Sequence, residues 1–152
     1  MKTRMRRSGL VALAGALWML SPTTSLAAET AKLVKDVGNW EMAYGDVYYR
    51  VVGEVENKSG KPLQYVKFEI DLLDEDGKVV KTMMGYNQKA EFLAGVEGFD
   101  TGEPAEPFEK KLARVEKIPA GGKDTFRIGL GKEEIPKKPK FKSYKVRIVE
   151  TK

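Results

Sequence analysis

The chain has 152 residues, with 27 lysine and arginine residues against 22 aspartate and glutamate residues, and it contains neither histidine nor cysteine. This composition excludes disulfide bonds, thiol nucleophiles, Ser-His-Asp triads and metal sites built on cysteine or histidine. The length suits a single domain with one hydrophobic core.

The first 27 residues have the pattern of a secretory signal peptide. Four cations precede an apolar run from Leu10 to Leu20, Pro22 ends the run, and Ser25-Leu26-Ala27 provides small residues for cleavage. The run of 11 residues is short for a membrane span, which needs about 20. We therefore predict cleavage, no integral membrane anchor afterwards, and a product located in the periplasm or outside the cell.

Cleavage also changes the charge of the protein. The four cations leave with the leader, so about 23 basic residues remain against 22 acidic ones, and the net charge falls from +5 to about +1. Nucleic-acid binding requires clustered positive charge on the folded domain. We therefore predict that the protein does not bind nucleic acid.

The remaining sequence consists of strand patterns joined by turns. Residues 28–45 are predicted as a polar lead-in and a possible first strand from Trp40, in which Trp40, Met42 and Tyr44 share a face. Residues 46–152 are predicted as the β-sandwich domain.

Four segments of that domain alternate as half-buried strands do. The predicted inward faces are Val47, Tyr49, Val51 and Val55; Val66, Phe68, Ile70 and Leu72; Phe126, Ile128 and Leu130; and Tyr144, Val146 and Ile148. A turn over 57–60 joins the first two strands, and an Asp-Gly turn over 74–77 leads into a returning strand from 79 to 84. This spacing predicts an all-β, antiparallel sandwich of about seven strands.

The segment 86–115 interrupts the strand pattern and is rich in glycine, proline and acidic residues. Residues 87–93 are predicted as a short helix, and the spacing of Phe108, Leu112 and Val115 permits another turn or two. The segment is either a simple insertion or a functional loop, since long loops in compact domains are often functional.

Three motifs resemble the FxLYD-type extracytoplasmic domain. They are Ile70-Asp-Leu-Leu-Asp74, with isoleucine and leucine in place of the aromatic residues, Gly53-Glu-Val-Glu-Asn57, and Ile118-Pro-Ala-Gly-Gly122 followed by Phe126-Arg-Ile128. The resemblance extends over roughly residues 47–150. It implies an immunoglobulin-like sandwich in an exported bacterial protein, and it implies no active site.

Two acidic clusters are candidates for chemistry, and both have a simpler interpretation. Calcium prefers clustered hard oxygens, which are offered by Asp71, Asp74, Glu75 and Asp76. Paired carboxylates are needed for glycoside hydrolysis, and the candidates are Glu103, Glu106 and Glu109. We favour a solvated hairpin turn for the first set and a solvated loop for the second, and predict no catalysis, no metal and no cofactor.

Two further motifs lie in predicted loops. A lysine run, composed of Lys137, Lys138, Lys140 and Lys142, could contact anionic lipid or cell-wall polymer. We favour a charged loop that protects the final strand from edge-to-edge association. Asn57-Lys58-Ser59 matches an N-glycosylation pattern, but we interpret it as a turn.

Tyr48 and Val52 are the candidate interaction residues. They lie on the face of their strand opposite to Tyr49 and Val51, so both are expected to be accessible if that face is in contact with solvent. We predict an interaction or assembly module whose partner is another envelope or secreted protein. The alternative is a small-ligand or cell-wall carbohydrate binder, with the 86–115 segment closing over an aromatic floor.

Overall fold

The computed structural model describes residues 26–94 and 106–152. Its strands are β1 (Ala31–Ala43), β2 (Asp46–Asn57), β3 (Val66–Leu73), β4 (Val79–Tyr86), β5 (Lys123–Gly131) and β6 (Ser143–Thr151). Its α-helices are Leu26–Thr30 and Phe108–Leu112, and its 3-10 helices are Gln88–Ala94 and Lys132–Glu134. Residues 1–25 of the predicted leader lie outside the described residues.

The strands form two antiparallel sheets of three strands each, in the orders β1-β2-β5 and β4-β3-β6. The prediction of an all-β, sandwich-like fold is confirmed. The predicted count of about seven strands is not confirmed, because the described residues contain six. The six include β1, which lies mostly in the predicted lead-in.

The inner faces of the two sheets meet in one core, as the alternation predicts. The β3 side chains Val66, Phe68, Ile70 and Leu72 are fully buried. Across the sandwich, Phe68 packs on Phe126 of β5 with ring centroids 4.3 Å apart. Every second residue of these strands is apolar because only one face of each sheet is removed from water.

The first strand differs from its prediction. β1 begins at Ala31 rather than at Trp40, so most of the expected polar lead-in is strand. The pairing with β2 shifts between Leu33 and Lys35. This irregularity interrupts the two-residue period of the sequence, which explains why the segment was predicted as irregular.

One buried amide, that of Asn57, fixes two of the loops. Asn57 donates to the carbonyl oxygens of Lys61, Ile118 and Pro119 at 2.8–3.0 Å and accepts from the Ser59 backbone N–H at 2.9 Å. Because this side chain is fully buried and hydrogen-bonded, Asn57 acts as a turn residue, in agreement with the preferred interpretation.

The 86–115 segment contains the helices that the sequence predicts. Gln88–Ala94 and Phe108–Leu112 pack together at the end of the sandwich where β3 begins, and residues 95–105 lie outside the described part. Their shared cluster contains Tyr65, Ala90, Leu93, Leu112 and Val115.

We predict that Phe68→Ala lowers the free energy of unfolding by about 3–5 kcal/mol, because the ring is fully buried against Phe126. Urea denaturation measures the change. The control is Met84→Ala on the outer face of the same sheet, where the side chain is 63% exposed and the cost should be within about 0.5 kcal/mol. A loss below about 1 kcal/mol for Phe68→Ala would contradict the strand register.

Candidate functional site

The outer face of the β1-β2-β5 sheet carries both predicted interaction residues. Tyr48 and Val52 alternate with the buried Tyr49 and Val51, so they point away from the core. Val52 is 36% exposed and pairs with Val37 of β1, which is 49% exposed. We define the outer-face patch as Val37, Glu41, Tyr48, Arg50, Val52 and Arg127.

Two arginines in the outer-face patch share one carboxylate. Glu41 accepts hydrogen bonds from Arg50 and, at 2.7 Å, from Arg127. Burial and the neighbouring Arg127 charge lower the pKa of Arg50, which remains a cation at neutral pH. The Arg50 guanidinium lies 4.9 Å from the centre of the Tyr48 ring. The patch therefore carries surplus positive charge. Of the two predicted interaction residues, Tyr48 is half-buried and Val52 is exposed.

A shallow groove of about 560 Å³ runs beside the exposed valines. It is lined by Val37 and Val52 on one side and by Gln88 and Glu91 of the 88–94 helix on the other. The groove floor includes Gly53, where a Cβ atom would lie 2.5 Å from the Phe126 ring. No feature of the sequence indicates that the 88–94 helix reaches the predicted surface.

A second feature is the β1–β2 hairpin, which extends past the rest of its sheet. The pairing between β2 and β5 ends at Tyr48 and Gly131. The β1–β2 pairs between this position and the turn therefore have no third strand beside them. The turn residues Tyr44 and Gly45 have φ values of 55° and 87°. Positive φ at both positions is typical of a type I′ turn, which favours asparagine and glycine. Tyrosine is an unusual residue there.

An aromatic cavity lies at the base of this hairpin. Trp40, Tyr49 and Phe141 form its floor, with ring centroids 4.7–5.8 Å apart. The cavity has a volume of about 710 Å³. Its rim contains Glu133 and four lysines, namely Lys132, Lys137, Lys140 and Lys142.

The cavity brings together two motifs that the sequence analysis treated separately. Trp40 comes from the first strand pattern, and three of the rim lysines come from the lysine run. Sequence reasoning missed Phe141 and Lys132 as members of this site. The only available signal was the position of Phe141 within the lysine run. The 88–94 helix packs at the opposite end of the sandwich, so it does not cover this floor.

Tyr144 joins this aromatic cluster to β1. Its ring lies 6.3 Å from Tyr49, and its hydroxyl donates to Asp36 at 2.7 Å. Burial, reinforced by the hydrogen bond to Asp36, raises the pKa of Tyr144 to about 12. The neutral phenol is therefore favoured in the folded protein.

The acidic candidates are occupied by local contacts. Asp71 accepts from Thr82 at 2.7 Å and from Arg147 at 2.8 Å, and Asp74 accepts from the backbone N–H groups of Asp76 and Lys78 at 2.9 Å. Within residues 26–94 and 106–152, no three acidic side chains converge on a metal position.

The proposed glycosidase carboxylates are only partly described. Glu106 pairs with Arg114, and Glu109 lies 4.0 Å from Lys152. Glu103 lies outside the described residues. These contacts give no paired arrangement of two carboxylates across a cleft.

Comparison with known proteins adds no further assignment. No family model, no curated protein and no solved structure matches this chain. In the part of the chain that the structure describes, no helix combines the length and apolarity required to cross a bilayer.

We predict that Tyr144→Phe flattens the dependence of stability on pH above neutrality. An unfolded tyrosine ionises near pH 10, whereas the folded Tyr144 has a pKa of about 12. Its stabilising contribution is therefore fully present below about pH 10 and is lost as the pH rises toward about 12. Urea unfolding at pH 8 and pH 11 measures the difference. An identical fall for wild type and variant would contradict the raised pKa.

Proposed function

We propose that this chain is an exported, non-catalytic binding module of the bacterial envelope. It acts in the periplasm or outside the cell, and it recognises another envelope or secreted protein through the outer-face patch and the adjoining groove. The observation that carries the proposal is the exposed Val37–Val52 pair beside a groove of about 560 Å³.

The composition of this surface suits protein recognition. Val37 and Val52 provide an apolar centre, while Lys35, Asp36, Glu91 and Arg127 provide charges along the groove. Protein interfaces commonly combine an apolar centre with a polar rim, and arginine is enriched in them. The surplus positive charge of the patch favours a partner segment that presents a carboxylate to Arg127.

We further propose that the sandwich is immunoglobulin-like and of FxLYD type. The sheet orders β1-β2-β5 and β4-β3-β6 correspond to strands A-B-E and C′-C-F of an immunoglobulin fold. Ile70 and Leu72 of the motif are fully buried, and Gly77 has the positive φ that its turn requires. These features support the resemblance and the exported location that it implies.

A second candidate function is binding of a small anionic ligand or a cell-wall carbohydrate. It is favoured by the aromatic floor and the rim lysines of the aromatic cavity. Aromatic rings can stack on the flat face of a sugar ring, and lysine can pair with a carboxylate. This site shares no lining residue with the groove, so the two candidate functions can be tested separately.

We expect a photo-crosslinking amino acid at Val52 to capture a single dominant envelope protein in intact cells. The matched control places the same amino acid at Met84, which is exposed on the other sheet. Mass spectrometry identifies the product. Arg127→Glu should reduce its yield at least tenfold, because the charge at the groove is reversed.

Equal capture from position 84, or no product from position 52, would contradict the proposed surface.

The second candidate function is tested by thermal-shift measurements with acidic cell-wall fragments. Stabilisation that is lost in Trp40→Ala but kept in Arg127→Glu would favour ligand binding in the aromatic cavity.

A further inference from the structure

The β1–β2 hairpin exposes apolar side chains that the fold does not require. Met42 is 76% exposed and Tyr44 is 99% exposed. Tyr44 also occupies a turn position with a φ of 55°, where asparagine would be more favourable. Residues that break a local rule without a packing benefit are expected at functional sites. We define the hairpin tip as residues 42–47.

Positive charge lies at the tip and at the base of the β1–β2 hairpin. At the tip, Tyr44 and Ala43 border a cavity with Arg50 and Arg127, which share Glu41. At the base, beside Trp40 and Tyr49, is the loop 132–142, which contains five lysines against Glu133 and Glu134.

The lysines of this loop are available for an external anion. No carboxylate of residues 26–94 and 106–152 lies within 4.0 Å of any of their ammonium groups. Glu134 accepts the Gly131 backbone N–H at 2.8 Å. The loop therefore presents surplus positive charge at the base of the hairpin that carries the exposed tip.

We propose that the hairpin tip and the 132–142 loop dock this protein on a bilayer surface rich in anionic lipid. Tyr44 and Met42 enter the interface first, and Trp40 follows at the level of the headgroups. The turn lies roughly 13 Å beyond Trp40 along an extended strand, and interfacial elements are buried by about 5–10 Å.

An anionic bilayer would contact both the apolar hairpin tip and the lysines of the 132–142 loop, which explains why the protein has both features. Tyrosine and tryptophan favour the interface between lipid and water, and the binding of an interfacial element increases with its buried apolar area and with its attraction to anionic lipid. Each lysine near an anionic surface strengthens binding by roughly fivefold. A bilayer engages the exposed Met42 and Tyr44 as well as the lysines, whereas a sugar in the cavity would engage chiefly Trp40 and the rim.

Acidic residues at the same end of the sandwich set the orientation. Asp46 lies in the hairpin tip, and the β3–β4 turn carries Asp74, Glu75 and Asp76 on the other sheet. Anionic lipid repels the three carboxylates of the β3–β4 turn more strongly than the single Asp46 carboxylate of the tip, so the molecule docks with the β1–β2 hairpin leading and the β3–β4 turn raised. Reversing charge in that turn should therefore strengthen binding.

Trp40 provides a direct probe of the contact. The chain has two tryptophans, and Trp18 lies in the predicted leader, so the exported protein is expected to contain Trp40 as its only tryptophan. We expect vesicles of phosphatidylglycerol and phosphatidylcholine to shift its emission to shorter wavelength, and brominated lipid to quench it. Phosphatidylcholine vesicles alone should have much less effect, and added salt should weaken the response.

Three variants of the exported protein separate the contributions. Met42→Ser with Tyr44→Asn should lower vesicle affinity at least tenfold while the turn keeps a favoured residue. Lys137→Glu with Lys140→Glu should remove the preference for phosphatidylglycerol. Glu75→Lys should increase affinity several-fold. Urea unfolding confirms that each variant is folded.

Met84→Ser is the matched control, because Met84 is 63% exposed on the outer face of the other sheet and its replacement should leave vesicle binding unchanged. The proposal is overturned if vesicles leave Trp40 emission unchanged, or if the tip variant binds as tightly as its parent. It is also overturned if a soluble oligogalacturonide shifts the emission and vesicles do not, since that result identifies an acidic glycan as the occupant.

Discussion

The contact between Phe68 and Phe126 is the constraint on which the rest of the structure depends. It joins the two sheets at their centre, with ring centroids 4.3 Å apart. Gly53 lies beneath Phe126, and any side chain there would collide with the ring. Once the inner faces are fixed in this way, the alternation of each strand determines which residues face the solvent. The exposure of Val37 and Val52 is a direct consequence.

The β1–β2 hairpin is longer than the sandwich needs. The pairing of β5 with β2 ends at Tyr48. The core therefore does not cover the side chains between this position and the turn of the hairpin. Trp40 is held from one side by Tyr49 and Phe141 and is still 48% exposed. A rigid hairpin is a suitable support for exposed aromatic groups, because its backbone hydrogen bonds hold them in place without a packed core.

The two surfaces that we assign to binding both include residues of β1 and β2. The groove combines residues of β1 and β2 with the 88–94 helix, and the lysine-rich end combines the hairpin with the 132–142 loop. A protein that docks on a bilayer by its end would leave the sheet face available to a partner. The two proposals are therefore compatible; they share Arg127, which borders both the groove and the cavity beside the hairpin tip, but each has its own test.

The sequence by itself determined the strands with regular alternation, the Asp-Gly turn, the short helices and the outward position of Val52, because these depend on local periods and turn chemistry. It failed at β1, where an irregular pairing interrupts the period between Leu33 and Lys35. Only the tertiary structure brought Trp40 to Phe141 and the lysines, and Val52 to the 88–94 helix. Those contacts join segments far apart in the chain, and they depend on how the sheets pack rather than on any local pattern.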